Sequence, residues 1–187
     1  MIAVLLLACG GDGLGNENPD NKPEIAMYHG LEEDARWTYR DDGGLWTDTG
    51  FDLDEDQLIR VSHMGEGLVE LRRGARWADA TPYGSLQWTT TDGLGLVSWD
   101  LPLGQGAGEY PMSGALIAVG ETVTGEWNCI SSAPENGVDT YYALFENAYV
   151  FDCSGGGLEG QYVFAFGIGL VSMSIGDNFN LELVAPW

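Results

Sequence analysis

Lysine is almost missing from this chain. Lys22 is the only one, and 29 acidic residues stand against 7 basic ones, for a formal charge of -22. Phosphate backbones are gripped by clustered Lys and Arg, so this balance argues against a nucleic-acid partner. It equally opposes adsorption to anionic lipid head groups. Histidine is scarce too, with only His29 and His63. His63 lies in an alternating run with Arg60 and Ser62, the setting of a structural imidazole rather than a general base. The chain carries no HExxH, GxSxG, P-loop or dinucleotide-binding fingerprint. Carboxylates this abundant make a glycosidase-like pair easy to imagine anywhere, which is no evidence for one. No catalytic residue is therefore assigned and no cofactor is expected.

Long apolar runs and helical periodicity are missing as well. The N-terminal run Met1–Ala8 falls short of the about 20 residues that cross a bilayer, and no other segment is apolar enough. No long stretch repeats its apolar residues at 3.6 spacing without a glycine interrupting it, and Leu31–Arg36 is too short for a convincing helix. What the chain has in quantity is apolar and aromatic surface: 44% of residues are hydrophobic and seven are Trp, which excludes a solvated coil for most of its length.

The hydrophobic pattern is that of strands. Trp37–Arg40 and Leu45–Thr47 flank the turn Asp41-Asp42-Gly43-Gly44, and Gln57–His63 and Leu68–Arg73 flank Gly65-Glu66-Gly67. Leu86–Thr91 and Leu94–Trp99 flank Asp92-Gly93, a strong hairpin signal because Asp-Gly accommodates the positive φ of a type I′ turn. Glu121–Ile130, Thr140–Asp152, Gln161–Ser174 and Phe179–Val184 are rich in Val, Thr, Tyr and Phe, and turn residues separate them. Connections this short do not allow helical crossovers. The expected fold is all-β: one antiparallel meander of about ten strands, which must curl into a closed barrel or a half-barrel.

Leu6-Leu7-Ala8-Cys9, at the end of the apolar run, resembles the lipobox of bacterial lipoproteins. The resemblance implies that residues 1–8 are a signal-peptide remnant, that Cys9 becomes an acylated N-terminus, and that residues 9–27 form a flexible tether. The tract from Gly10 to Pro23, rich in Gly, Asn and Asp, suits such a tether. Gly10 after the cysteine implies outer-membrane sorting. Residues 28–187 then form a single β-domain. The partners to expect are the membrane, through the lipid, and a hydrophobic ligand or an envelope protein.

Three further pieces, Trp37-Thr38-Tyr39-Arg40, Val119–Trp127 and Phe164–Val171, are similar to uncharacterised secreted bacterial lipoproteins with a G-x-x-W-x-Y opening and a closing A-x-G-x-G-L-V strand. That family carries no established activity, so the resemblance transfers no site residue. In the closing piece Gly167 and Gly169 alternate within the expected strand and mark a bend or a close backbone approach.

With Cys9 assigned to the lipid, Cys129 and Cys153 remain as an even pair in an oxidising compartment. A disulfide is expected there, the alternative being two buried free thiols. The sharpest acidic cluster, Asp48–Asp56, offers Asp48, Asp52, Asp54 and Asp56 as oxygen ligands for a weak calcium site. The EF-hand template fails on it, because counting from Asp52 puts Gln57 at the glycine position and His63 at the bidentate glutamate position. A solvated acidic loop is the expected reading. The function expected from these features is a membrane-anchored envelope lipoprotein with a binding or structural role, holding a hydrophobic ligand in its curved sheet. The alternatives are a hydrolase acting on envelope material and a weakly calcium-dependent surface module.

Overall fold

The computed structural model describes residues 36–41, 58–74, 76, 78–90, 93–114, 117–176 and 179–186. The described chain forms fourteen strands in sequence order: β1 (Arg36–Asp41), β2 (Leu58–His63), β3 (Leu68–Arg73), β4 (Thr81–Thr89), β5 (Leu94–Leu101), β6 (Gly104–Ser113), β7 (Thr122–Thr124), β8 (Trp127–Ser132), β9 (Val138–Asp139), β10 (Leu144–Phe145), β11 (Ala148–Gly155), β12 (Gly160–Ala165), β13 (Gly169–Ile175) and β14 (Phe179–Pro186). Twelve of them share one antiparallel sheet in the order β6-β5-β4-β3-β2-β1-β14-β13-β12-β11-β8-β7, while β9 and β10 pair with each other. Followed around the sheet, every neighbour is also a neighbour in sequence, apart from the β9–β10 excursion and the join between the first strand and the last. The sheet curls until β6 faces β7 and β8, giving an up-and-down barrel with one unsealed seam. Of the two expected outcomes the structure lies nearer the closed barrel, with the ladder left open between β6 and β7.

Alternation decides which side chains fill the barrel. Inward positions include Trp37, Tyr39, Ile59, Val61, Leu71, Leu86, Leu96, Trp127, Tyr162, Met173 and Leu181, all buried. Outward positions are mostly polar, although Leu68, Val97 and Ile130 are exposed, and one partly apolar row is covered. Val150, Val163, Ser172 and Glu182 stand opposite one another in a row across β11, β12, β13 and β14, and the two valines are buried. The β9–β10 hairpin packs here: Tyr141 N–H donates to Glu182 Oε1 at 2.7 Å, and Val138 and Phe145 pack against the core.

Several expected strands are divided. Glu121–Ile130 turns at Gly125-Glu126 between β7 and β8, and Thr140–Asp152 breaks after Phe145 before resuming as β11. Within that stretch Thr140 Oγ1 donates to Ala143 O at 2.9 Å, a local bond that favours a turn over a ladder. Gln161–Ser174 is a hairpin, so Gly167 and Gly169 do not alternate along one strand: Gly167 lies in the turn at φ +70°, and Gly169 opens β13. Strands β4 and β5 pair as expected, and while Asp92 lies outside the described residues, Gly93 answers to a further constraint, because a Cβ there would lie 2.1 Å from Ser113 O on β6. Leu45–Thr47 lies outside the described residues.

Cys129 on β8 and Cys153 on β11 stand directly opposite and are bonded, with Cα atoms 4.1 Å apart. Both are buried and inward-facing. The bridge spans a sequence separation of 24, a loop size that contributes about 3 kcal/mol in the chain-entropy account. Non-reducing mass spectrometry of the folded protein should find the two residues linked. Cys129→Ala with Cys153→Ala should lower the unfolding free energy by about 3 kcal/mol in urea titration; free thiols at both positions in oxidised protein would contradict the assignment.

Candidate functional site: the barrel interior and its seam

The residues that the sequence offered as sites divide into two groups. Cys9, Asp48, Asp52, Asp54 and Asp56 lie outside the described residues. His63 is described and buried, and its Nε2 accepts the Gly67 N–H at 3.1 Å, so it braces the β2–β3 turn as a structural imidazole. Among the described residues no three His, Cys, Asp or Glu side chains gather within ligating reach of a common point.

The tryptophans decide what the interior can hold. Trp37, Trp88, Trp99 and Trp127 are all buried, and aromatic rings knit across the barrel edge to face. Tyr110 meets Trp127 at 5.4 Å and Trp127 meets Tyr162 at 5.4 Å, while Phe164 is met by Trp88 at 5.8 Å and by Phe151 at 5.9 Å. Such pairs add about 0.5–1.5 kcal/mol each beyond the area they bury. Between Trp37, Tyr39, Leu71, Trp88 and Leu181 a void of about 30 Å³ remains. That is room for a water-sized guest, whereas an acyl chain needs a cavity of several hundred Å³.

Three polar groups inside the barrel are tied to backbone, while the buried Trp99 Nε1–H has no hydrogen-bond acceptor among the described residues. Tyr39 OH donates to Leu170 O at 2.5 Å, Tyr162 OH to Leu158 O at 2.9 Å and Trp127 Nε1–H to Pro111 O at 2.8 Å. Burial pushes both phenols well above their ordinary 10.0, and for Tyr162 the nearby charge of Glu159 adds to the effect.

The arginines form a pattern that the sequence reading passed over: every Arg falls between residues 36 and 76, and residues 77–187 contain no Lys or Arg at all. Three of these side chains brace the wall that they occupy. Arg60 donates to Thr38 Oγ1 at 2.6 Å and to Gly74 O at 3.3 Å, Arg72 to Ala80 O at 3.1 Å, and Arg73 to Tyr83 OH at 2.8 Å with its guanidinium 4.2 Å from that ring's centre. Partial burial lowers the Arg60 pKa below its ordinary value.

At the seam, Glu126 N–H donates to Glu109 O at 3.2 Å, which with the Trp127 bond to Pro111 O draws the β7–β8 hairpin onto the second half of β6. Outside this point a groove of about 470 Å³ runs along β5 and β6, lined by Gly95, Val97, Glu109 and Pro111 among others. Compared with protein-family models, curated proteins and solved structures, the chain matches none.

Two outcomes follow from the filled interior. Trp88→Ala should cost about 3–5 kcal/mol in equilibrium unfolding, the range for emptying a large buried aromatic site; a cost below 1 kcal/mol would mean that Trp88 is not packed as described. Tyr39 and Tyr162 have raised pKa values in the folded state, so their stabilising contribution is complete below the unfolded value near 10 and is lost as pH rises above it. Alkaline titration followed at 295 nm should show these two phenols ionising only together with unfolding, and Tyr39→Phe with Tyr162→Phe should flatten the alkaline fall in Tm.

Proposed function

We propose that the chain is a membrane-tethered lipoprotein of the bacterial cell envelope, sorted to the outer membrane, whose β-domain has a binding or structural role exercised through its outer surface. The observation that carries this reading is that, among the described residues, the protein's own rings occupy the interior and the cavity between Trp37 and Trp88 measures about 30 Å³. A barrel that carried a lipid would need to expel Trp37 or Trp88, and each is buried among apolar neighbours. The interior thus acts as a rigid core, and the polar outer wall is the part left to meet a partner. The anchor in this reading is Cys9 after Leu6-Leu7-Ala8, with residues 9–27 holding the domain off the membrane.

Expressed behind a complete signal sequence in a bacterial host, the full chain should partition into membranes and label with a radioactive or clickable fatty acid. Cys9→Ser should abolish both labelling and partitioning. If the serine variant stays on the membrane to the same extent, the anchor is elsewhere. Addition of a long-chain fatty acid should leave Tm unchanged, whereas a rise of several degrees would restore the carrier reading.

A further inference from the structure

Strand β6 is ten residues long, while β7, which faces it across the seam, has three. The two are out of proportion, and the hairpin tip at Gly125-Glu126 meets β6 at its middle, where Glu126 N–H reaches Glu109 O. From Gly104 to Gly108, β6 therefore runs on past the tip as the edge of the sheet, with β5 on one side and no ladder partner among the described residues on the other.

The direction of the edge groups follows from the strand itself. From Gln105 to Met112 the even-numbered residues are the more buried, but pairing with β5 shifts register between Leu96 and Ser98, opposite the stretch from Tyr110 to Ala107, so the ladder is irregular at Gly108-Glu109. Glu109 O and Pro111 O face the seam. Beyond the irregularity, alternate residues of Gly104–Gly108 turn their N–H and C=O groups away from β5 to the same open side. Pro111 fits the same rule, because a proline is tolerated in a strand where its missing N–H points away from the ladder. The overhang also lacks the usual guards of an edge: Gly104-Gln105-Gly106-Ala107-Gly108 contains no Pro, Lys or Arg.

Charge narrows the occupant. Asp100, opposite Gln105 on β5, is exposed, as are Glu109 and Glu126. The Glu126 carboxylate lies over Gly108, where a Cβ would come within 2.5 Å of Oε2. No basic residue occurs after Arg76 to neutralise them. The charge of -22 also works against a second copy of this chain as the occupant, through self-repulsion.

We propose that the β6 overhang is a strand-addition site for an extended cationic peptide segment of a partner protein. The segment's backbone pairs with the outward-turned N–H and C=O groups of Gly104–Gly108, and its Lys or Arg side chains meet Asp100, Glu109 and Glu126. This assignment does not depend on how the chain is anchored.

The test is fluorescence polarisation of the full chain with a labelled peptide of alternating Lys and Val. Comparison peptides are the Glu-Val counterpart and a Lys-Val peptide N-methylated at alternate residues, one form in each register. The Lys-Val peptide should bind with an affinity that falls as salt rises. N-methylation of the peptide in one register should weaken binding about tenfold or more on the unaltered protein. Glu109→Gln with Glu126→Gln should also weaken binding about tenfold. Three results would overturn the proposal: no binding of the Lys-Val peptide, equal binding of the Glu-Val peptide, or loss of binding in the Gln variant with no effect of either N-methylated form. The last would mean adsorption by charge alone.

Discussion

Strands β1 and β14 come from opposite ends of the described chain, and their ladder, from Trp37 opposite Pro186 to Asp41 opposite Leu181, joins two meanders into one sheet. Without it, β1–β6 and β7–β14 would be separate sheets, each with an apolar face exposed to water. With it, both inward faces close on a common core, and Tyr39 reaches from β1 to bond Leu170 O on β13. A register shift between Thr38 and Tyr39 marks this junction as a bulge, a device that sharpens twist and bends a sheet toward closure. The ladder brings together residues 140 or more apart in sequence, so its loop-closure entropy must be met by the burial that closure permits.

That burial is largely aromatic, and this determines what kind of barrel results. Barrels of many strands commonly enclose ligand cavities or channels. Here Trp37, Trp88, Trp99 and Trp127 occupy the space, joined by Tyr110, Phe151, Tyr162 and Phe164 in edge-to-face contact. Trp99 shows how closely backbone and side chain are matched: a Cβ at Gly106 would lie 2.7 Å from its Nε1, so the glycine on β6 makes the space in which the indole sits. A core built this way leaves little room for a guest between Trp37 and Trp88.

The wall is electrostatically uneven. The arginines all fall between residues 36 and 76, and Arg60 on β2 with Arg72 and Arg73 on β3 bond carbonyl and hydroxyl oxygens. The strands after β3 carry carboxylates without a single basic residue. The seam falls in this second region, beside Glu109 and Glu126, so an interruption of the ladder coincides with a field that attracts cations. The disulfide lies one strand pair away and holds β8, the strand that forms one side of the seam, to β11.

The sequence by itself determined the strand content, the short connections and the pairing of the last two cysteines, because alternation, turn residues and cysteine number are local or countable properties. Strands β2, β3 and β5 and the β4–β5 hairpin were legible for that reason. Strand β6 was not: Gly104-Gln105-Gly106-Ala107-Gly108 has little β-propensity, and its glycines suit the strand only because Trp99 from β5 lies against them. The division of Gln161–Ser174 at Gly167 was hidden because a glycine among Phe and Ile residues reads equally as a strand bend or as a turn. Only the tertiary structure decided that the sheet closes, that its interior is filled and that β6 outruns its neighbour at the seam. These features depend on contacts between residues far apart in the chain, such as β1 with β14 and Glu109 with Glu126, and on side-chain volumes meeting across the barrel, which no local pattern encodes.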